Sequence, residues 1–227
     1  MKDKKRLDLN DYELFVFDCD GVLLDSNKLK SKAFRITLEN YPKSLVDSFI
    51  SYHELSGGIS RYVKLEYFLS NILKKKNYQE EHQDLLNRFS IISMDLISKN
   101  SKLVPGVKDL LRKLKKEKKY SIVCSGADEI DLKKILALKN LDHYFSAIYG
   151  SPKTKKEILL KVCSESQNTK MRGIFFGDAA SDYEAAKKYA FDFIFVSYNS
   201  DWNVNEISSF DNLTSIHSFR DIKVLIS

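Results

Sequence analysis

From residue 120 onward the chain alternates short apolar runs with helical patterns about ten residues long, and this alternation restricts the fold more than any other feature. Residues 120–124, 147–149, 172–176 and 193–196 read as strands, and residues 128–139, 154–163 and 181–189 read as helices. Strands joined by single helices pair in parallel, with right-handed crossovers that place helices on both faces of one sheet. A further run, Leu14-Phe15-Val16-Phe17, is apolar at consecutive positions, as a strand covered on both faces requires. Between it and residue 120 lies a stretch with no convincing strand. From about residue 27 to 99 there are only helical stripes, such as Val63, Leu65, Phe68, Leu69 and Ile72.

The expected fold class is therefore α/β, a doubly wound parallel sheet with an inserted α-helical cap domain. Residues 1–27 and 103–227 are assigned to the core and 28–102 to the cap, with hinges near 26–28 and 101–104. Pro105-Gly106 opens a helix over 107–116. The tail carries weaker signals, an edge strand near 213–216 and a last helix over 219–225. A length of 227 residues accommodates one core plus a smaller insert, and 43% hydrophobic with 30% charged residues excludes a disordered or fibrous chain.

The net charge of +6 gathers in lysine runs at 74–76 and 113–119, on or beside helical patterns, and reads as solvated faces. No basic stretch interleaved with exposed aromatics and no nucleic-acid reader motif accompanies them, so no nucleic-acid partner is expected. Three cysteines, Cys19, Cys124 and Cys163, are odd in number and far apart, which favours reduced thiols. No apolar stretch approaches the roughly 20 residues of a membrane span, and the charged N-terminus lacks a signal-peptide core. A cytoplasmic location, with no membrane association and no obligate protein partner, is the expectation.

Ligands of open α/β sheets bind beyond the carboxyl ends of the strands, so the residues that follow each predicted strand share one cleft. Those residues are Asp18-Cys19-Asp20-Gly21, then Ser125-Gly126, then Pro152-Lys153, then Gly177-Asp178 with Asp182 one helical turn on. A carboxylate such as Asp18 can attack phosphorus and divide a hydrolysis into two displacements. Asp20 is placed to protonate the leaving oxygen and then to activate water. Ser125 and the amides near Gly126 can hydrogen-bond phosphoryl oxygens, and Lys153 can balance their charge. Mg²⁺ prefers hard oxygen donors, which Asp18 and Asp178 supply. Each piece alone has a plain alternative: a turn at Ser125-Gly126, a helix cap at Asp178.

With this ordered set, from Asp18-Cys19-Asp20-Gly21-Val22-Leu23-Leu24-Asp25-Ser26 through Ser125 and Lys153 to Gly177-Asp178 and Asp182, the chain resembles the haloacid dehalogenase-like hydrolase superfamily over nearly its whole length. Within it the chain resembles the phosphoglycolate phosphatase and β-phosphoglucomutase branch. The resemblance implies a Rossmann-like core, a Mg²⁺ cofactor held by Asp18, Asp178 and the backbone carbonyl of Asp20, and Asp182 acting on the metal through water. An aspartate at position 20 distinguishes phosphatases from the dehalogenases of the superfamily. The family's lysine-proline pairing is replaced here by Pro152-Lys153-Thr154-Lys155-Lys156, so Lys155 and Lys156 stand as alternatives to Lys153.

The resemblance also implies a cap that closes over the cleft and contacts the leaving group, with Gly58 and Arg61 of the loop Ser56-Gly57-Gly58-Ile59-Ser60-Arg61 as substrate contacts. Gly57-Gly58 as an interhelical turn and Arg61 as a surface charge is the equal alternative. His53, His82, His143 and His217 lie in no ligand cluster and carry no assigned role. The expected activity is Mg²⁺-dependent hydrolysis of a small phosphorylated metabolite, a sugar phosphate or a phosphoglycolate-like acid, through an aspartyl-phosphate. A phosphomutase of the β-phosphoglucomutase kind and a non-catalytic binding module are the alternatives.

Overall fold

The computed structural model describes residues 8–165, 171–202 and 213–224. Its centre is a six-stranded sheet, β1 (Leu14–Phe17), β2 (Tyr120–Asp128), β3 (Ala147–Ser151), β4 (Gly173–Gly177), β5 (Asp192–Val196) and β6 (Thr214–Ile216). All five strand pairings are parallel, in the order β3-β2-β1-β4-β5-β6. β1 sits where the order reverses, with β2 on one side and β4 on the other. That reversal opens a crevice beyond its carboxyl end, where Asp18 lies.

Consecutive apolar residues in β1 are explained by its two buried faces. Phe15 and Phe17 pack with helices α5 (Val107–Lys116) and α6 (Glu129–Leu138), through Leu110, Leu111, Leu114, Leu132 and Ile135. Leu14 and Val16 face the other way, with Ile158, Leu159 and Val162 of α7 (Lys155–Glu165) and Ala185 and Ala186 of α8 (Ala180–Lys188). Phe17 stacks on Phe176 of β4 with ring centroids 4.9 Å apart, which ties the central pair together.

The insert between β1 and β2 contributes α1 (Asn27–Thr37), α2 (Lys43–Leu55), α3 (Arg61–Tyr67) and α4 (Gln79–Asn100), with a π-helical segment Phe68–Ile72 after α3. It has a core of its own, in which Phe34 stacks on Phe89 at 4.0 Å and Phe49, Leu65 and Phe68 fill the rest. The two chain connections to the sheet run side by side. Leu24 bridges Leu103 antiparallel, the Asp25 N–H donates to Lys102 O at 2.9 Å, and the Val104 N–H donates to Leu23 O at 3.1 Å.

Two sequence expectations shift. β2 runs to Asp128 rather than ending at residue 124, because after a register shift Asp128 again pairs with Ser151. The tail forms the strand Thr214–Ile216 and then a 3₁₀ turn, Asp221–Val224, where an α-helix over 219–225 was expected; residue 225 falls outside the described residues. Among the described residues no helix is long and apolar enough to cross a membrane.

Candidate active site

Three strands deliver residues to one cavity. Asp18 follows β1, Ser125 and Gly126 lie within β2, and Asp178 follows β4; all four line the cavity, as do Asp20 and, from the cap, Gly58 and Arg61. One carboxylate oxygen from each of Asp18, Asp178 and Asp182 falls within 4.8 Å of the others, and all three side chains are buried. Asp182 is turned inward because α8 begins at Ala180. From there its Oδ2 accepts the N–H groups of Asp178 at 3.3 Å and Ala179 at 3.1 Å, fixing the loop that carries Asp178.

The lysine of the cluster is Lys155. Its ammonium lies 3.2 Å from Asp18 Oδ2 and donates to Asp182 Oδ1, with only 6% of the residue exposed. Lys153, expected in this place, has an exposed side chain, and Lys156 pairs with Glu184 at the surface, 3.0 Å away. The physical reason is helix phase. Lys155 starts α7 and sits three, four and seven residues before Ile158, Leu159 and Val162, the buried stripe of that helix. Lys153 precedes the helix and Lys156 is off the stripe.

Three buried acids against one ammonium leave a surplus of negative charge. Burial pushes the Asp178 carboxyl well above the usual carboxylate range, and the neighbouring charges of Asp18 and Asp182 push it further. Asp182 is raised to about 7, burial being the main cause, although Lys155 opposes it. Burial works against the Lys155 charge too, but Asp18 and Asp182 outweigh it and hold the ammonium protonated. Oδ1 of Asp18 is buried without a hydrogen-bond partner. An orphaned hard oxygen in a surplus of carboxylate suits a divalent cation, and Asp18 and Asp178 are the residues able to hold it. Both Asp182 oxygens are already engaged, which fits a place behind the ligands.

The approach of these groups depends on Gly21. Its φ of +78° is left-handed, and a Cβ there would stand 2.1 Å from Asp178 Oδ2. Around it, Asp20 Oδ1 accepts the Ser26 hydroxyl at 2.6 Å and Oδ2 takes the Lys30 ammonium, while Asn27 Nδ2 donates to Asp178 Oδ2 at 2.8 Å. Ser26 closes the first motif and borders a hinge in the sequence, but neither it nor Asn27 nor Lys30 was given a role at the site. Their signal is spacing, since all three sit in the first turn or so of the helix that follows the Asp18-Cys19-Asp20-Gly21 loop.

Across the cavity, Ser125 is buried and its Oγ accepts the Ala127 N–H at 3.2 Å, while Ser151 Oγ fixes Gly126 by donating to its carbonyl at 2.6 Å. The cap loop touches this side directly. Gly58, with φ +75°, is packed so closely that a Cβ would meet Ser181 Oγ at 2.1 Å and Lys155 Nζ at 3.0 Å. Ser181 Oγ in turn donates to Gly57 O at 3.0 Å. Arg61 spends its charge on the core, with Nη1 2.6 Å from Asp131 Oδ2 and Nη2 3.5 Å from Asp128 Oδ2. It lines the cavity as half of an ion pair rather than as a free cation.

A family model described as haloacid dehalogenase-like hydrolase matches residues 15–196, spanning β1 to β5 and every residue of the cluster. The chain belongs to this family. It is similar to a phosphoglycolate phosphatase of Aquifex aeolicus, 27% identical over 185 residues that cover 77% of this chain and 80% of the relative. A phosphorylated carbohydrates phosphatase of Thermotoga maritima is 24% identical over 181 residues, with the same coverage of 77% and 80%. In fold, the haloacid dehalogenase-like chain matches the crystal structure of a predicted phosphoglycolate phosphatase from Haemophilus somnus with a TM-score of 0.76 at 19% identity, covering 96% of this chain and 99% of the other. The expected hydrolase family and the doubly wound sheet with its helical cap are thus both observed.

Cys19 and Cys124 are buried beside the cluster, and burial together with nearby carboxylates holds the Cys19 thiol protonated. His53, assigned no role from sequence, lines the cavity from the cap together with Lys64.

Proposed function

We propose that this haloacid dehalogenase-like hydrolase is a Mg²⁺-dependent phosphatase of small phosphomonoesters, with Asp18 as nucleophile and Asp20 as acid and base. The observation that carries this reading is the clustering of the Asp18, Asp178 and Asp182 carboxylates at the sheet's switch point, with the buried ammonium of Lys155 on Asp18 and Asp182.

In this reading a carboxylate oxygen of Asp18 attacks phosphorus while the ester oxygen leaves from the opposite side. Asp20 protonates that oxygen, and in the second step takes a proton from the water that attacks the acyl-phosphate. Lys155, rather than Lys153, faces the nucleophile and offsets charge on the phosphoryl oxygens. Ser125 and the amides that follow it donate to the same oxygens. A Mg²⁺ ion, when bound by Asp18, Asp178 and the Asp20 carbonyl, supplies the positive charge that lets one anion approach another. The Ser26 hydroxyl and Lys30 ammonium orient Asp20 toward the leaving group.

The cavity of about 140 Å³ beneath the cap suits a small ester rather than a polymer. The test is a panel of phosphate esters spanning sugar phosphates, phosphoglycolate and nucleotides, assayed with Mg²⁺ and with EDTA. Phosphate release that requires the metal and favours small esters is expected. No release from any ester with Mg²⁺ present overturns the reading.

A further inference from the structure

Lys64 is a buried cation of the cavity wall that the phosphatase mechanism leaves unused. It lies in α3, one turn after Arg61, and only 3% of it is exposed. Its Nζ is 2.8 Å from His53 Nδ1 and donates to the His53 carbonyl at 3.1 Å. The His53 ring rests on Phe34, centroids 4.7 Å apart, so the pair is anchored in the cap's core. Among the described residues no carboxylate stands within ion-pair distance of Lys64.

The other cations of the site are committed. Lys30 pairs with Asp20, Arg61 with Asp128 and Asp131, and Lys155 with Asp18 and Asp182. Asp20 and Asp201, also on the wall, act on Lys64 only from beyond that range. A buried ammonium without a counter-ion is costly, and burial, with the charge of Lys30 adding to it, brings its proton affinity down to about 7. His53 cannot supply the missing charge, because burial keeps its ring neutral and Lys64 uses it as an acceptor. Two of the three ammonium N–H groups are spent on His53. One remains, on a wall shared with Asp18 and Asp20.

We propose that Lys64, positioned by His53, binds a carboxylate carried by the alcohol half of the substrate, so that the preferred ester is a short phosphorylated hydroxy acid. This rests on the phosphatase reading and adds the leaving group to it. A carboxylate matches one ammonium with one free donor in charge and in hydrogen bonding, whereas a second phosphate brings more charge than this wall can offset. The small cavity limits the acid to a few carbons.

Phosphoglycolate and hydroxyethyl phosphate form the deciding pair, because they differ by a carboxylate against a hydroxymethyl group. Wild-type enzyme is expected to favour phosphoglycolate in kcat/KM by about 10- to 100-fold. Lys64→Met, which keeps length and packing, brings that ratio to within about three-fold, mainly through KM. His53→Gln lowers the ratio by less. Absence of a preference in the wild type, its survival in Lys64→Met, or a stronger preference for ethanediol bisphosphate would each overturn the proposal. Calorimetric titration of phosphoglycolate and hydroxyethyl phosphate into Mg²⁺-loaded Asp18→Asn protein, with and without Lys64→Met, reads the same contrast in binding alone. A carboxylate preference there without turnover of any ester by the wild type would refute the phosphatase reading and leave the Lys64 site standing; no preference there would refute the site.

Discussion

Arg61 Nη1 of the cap lies 2.6 Å from Asp131 Oδ2 of the core, and this pair is the centre of a latch that holds the two together over the cavity. The same Asp131 oxygen accepts Ser90 Oγ at 2.5 Å, and Asp128 Oδ2 accepts the Tyr62 hydroxyl at 2.6 Å. Asp128 also caps α6, its Oδ1 accepting the N–H groups of Ile130 and Asp131 at 3.1 Å. Burial opposes the Asp128 charge, but the Tyr62 hydroxyl, those amides and Arg61 together hold its carboxyl below the usual range. Cap closure is therefore written into charges on one helix of the core and one helix start of the cap.

Breaking the latch should show in substrate binding before chemistry. Arg61→Ala and Asp131→Ala are each expected to raise KM several-fold with a smaller loss in kcat, as a lid that closes less often would. In a double-mutant cycle on kcat/KM the two should couple by about 1–2 kcal/mol, since both side chains are largely buried. Additive effects would show that the pair does not hold the cap.

The two candidate lysines part cleanly. Lys155→Met leaves Asp18 and Asp182 buried without their cation, so activity should fall by at least about 100-fold and metal-free stability by about 3 kcal/mol. Lys153→Ala changes an exposed side chain, and both quantities should stay within about two-fold and 0.5 kcal/mol. Steady-state kinetics and urea unfolding read both.

Metal binding should invert the effect of removing an acid. In EDTA, Asp178→Asn relieves charge crowding and keeps the acceptor for Asn27, so it should raise the melting temperature. With Mg²⁺ at about 100 times its dissociation constant, the wild type gains about 2.7 kcal/mol and the variant gains little. Calorimetry with and without metal tests the crossing.

His53 predicts an acid limb. Burial, with Lys64 next in effect, lowers its pKa to about 2, while in the unfolded chain it takes a proton near 6.5. Between those values the unfolded state binds the extra proton, so the His53 contribution to stability is present above pH 6.5 and is lost as pH falls. The loss is at most about 1.4 kcal/mol per pH unit, reduced by the ring's partial exposure. His53→Gln should flatten this part of the stability profile from pH 6.5 to 4.5, measured as the difference between the two proteins in urea.

The sheet and its site-bearing ends were legible because each strand carries consecutive apolar residues and stops at a polar or glycine residue, and Asp18, Asp20, Ser125 and Asp178 stand at or just past those stops. The cap was legible as a long stretch without strands. Lys155 and Lys64 were harder, although each leaves the same trace. Lys64 sits four residues before the buried Phe68 and Lys155 three before the buried Ile158, and a lysine in step with buried apolar residues marks a buried charge. What no pattern revealed was the pairing of Arg61 with Asp128 and Asp131, because it joins residues about 70 apart whose contact exists only once the cap is folded onto the core.

The account rests on Asp18 as the nucleophile, and Asp18→Asn tests it most directly, since an amide of the same shape cannot form an acyl-phosphate. With Mg²⁺ and the best ester of the panel, the variant is expected to bind substrate while phosphate release falls by at least about 10⁴-fold. Metal-dependent release persisting near the wild-type rate in Asp18→Asn would contradict it.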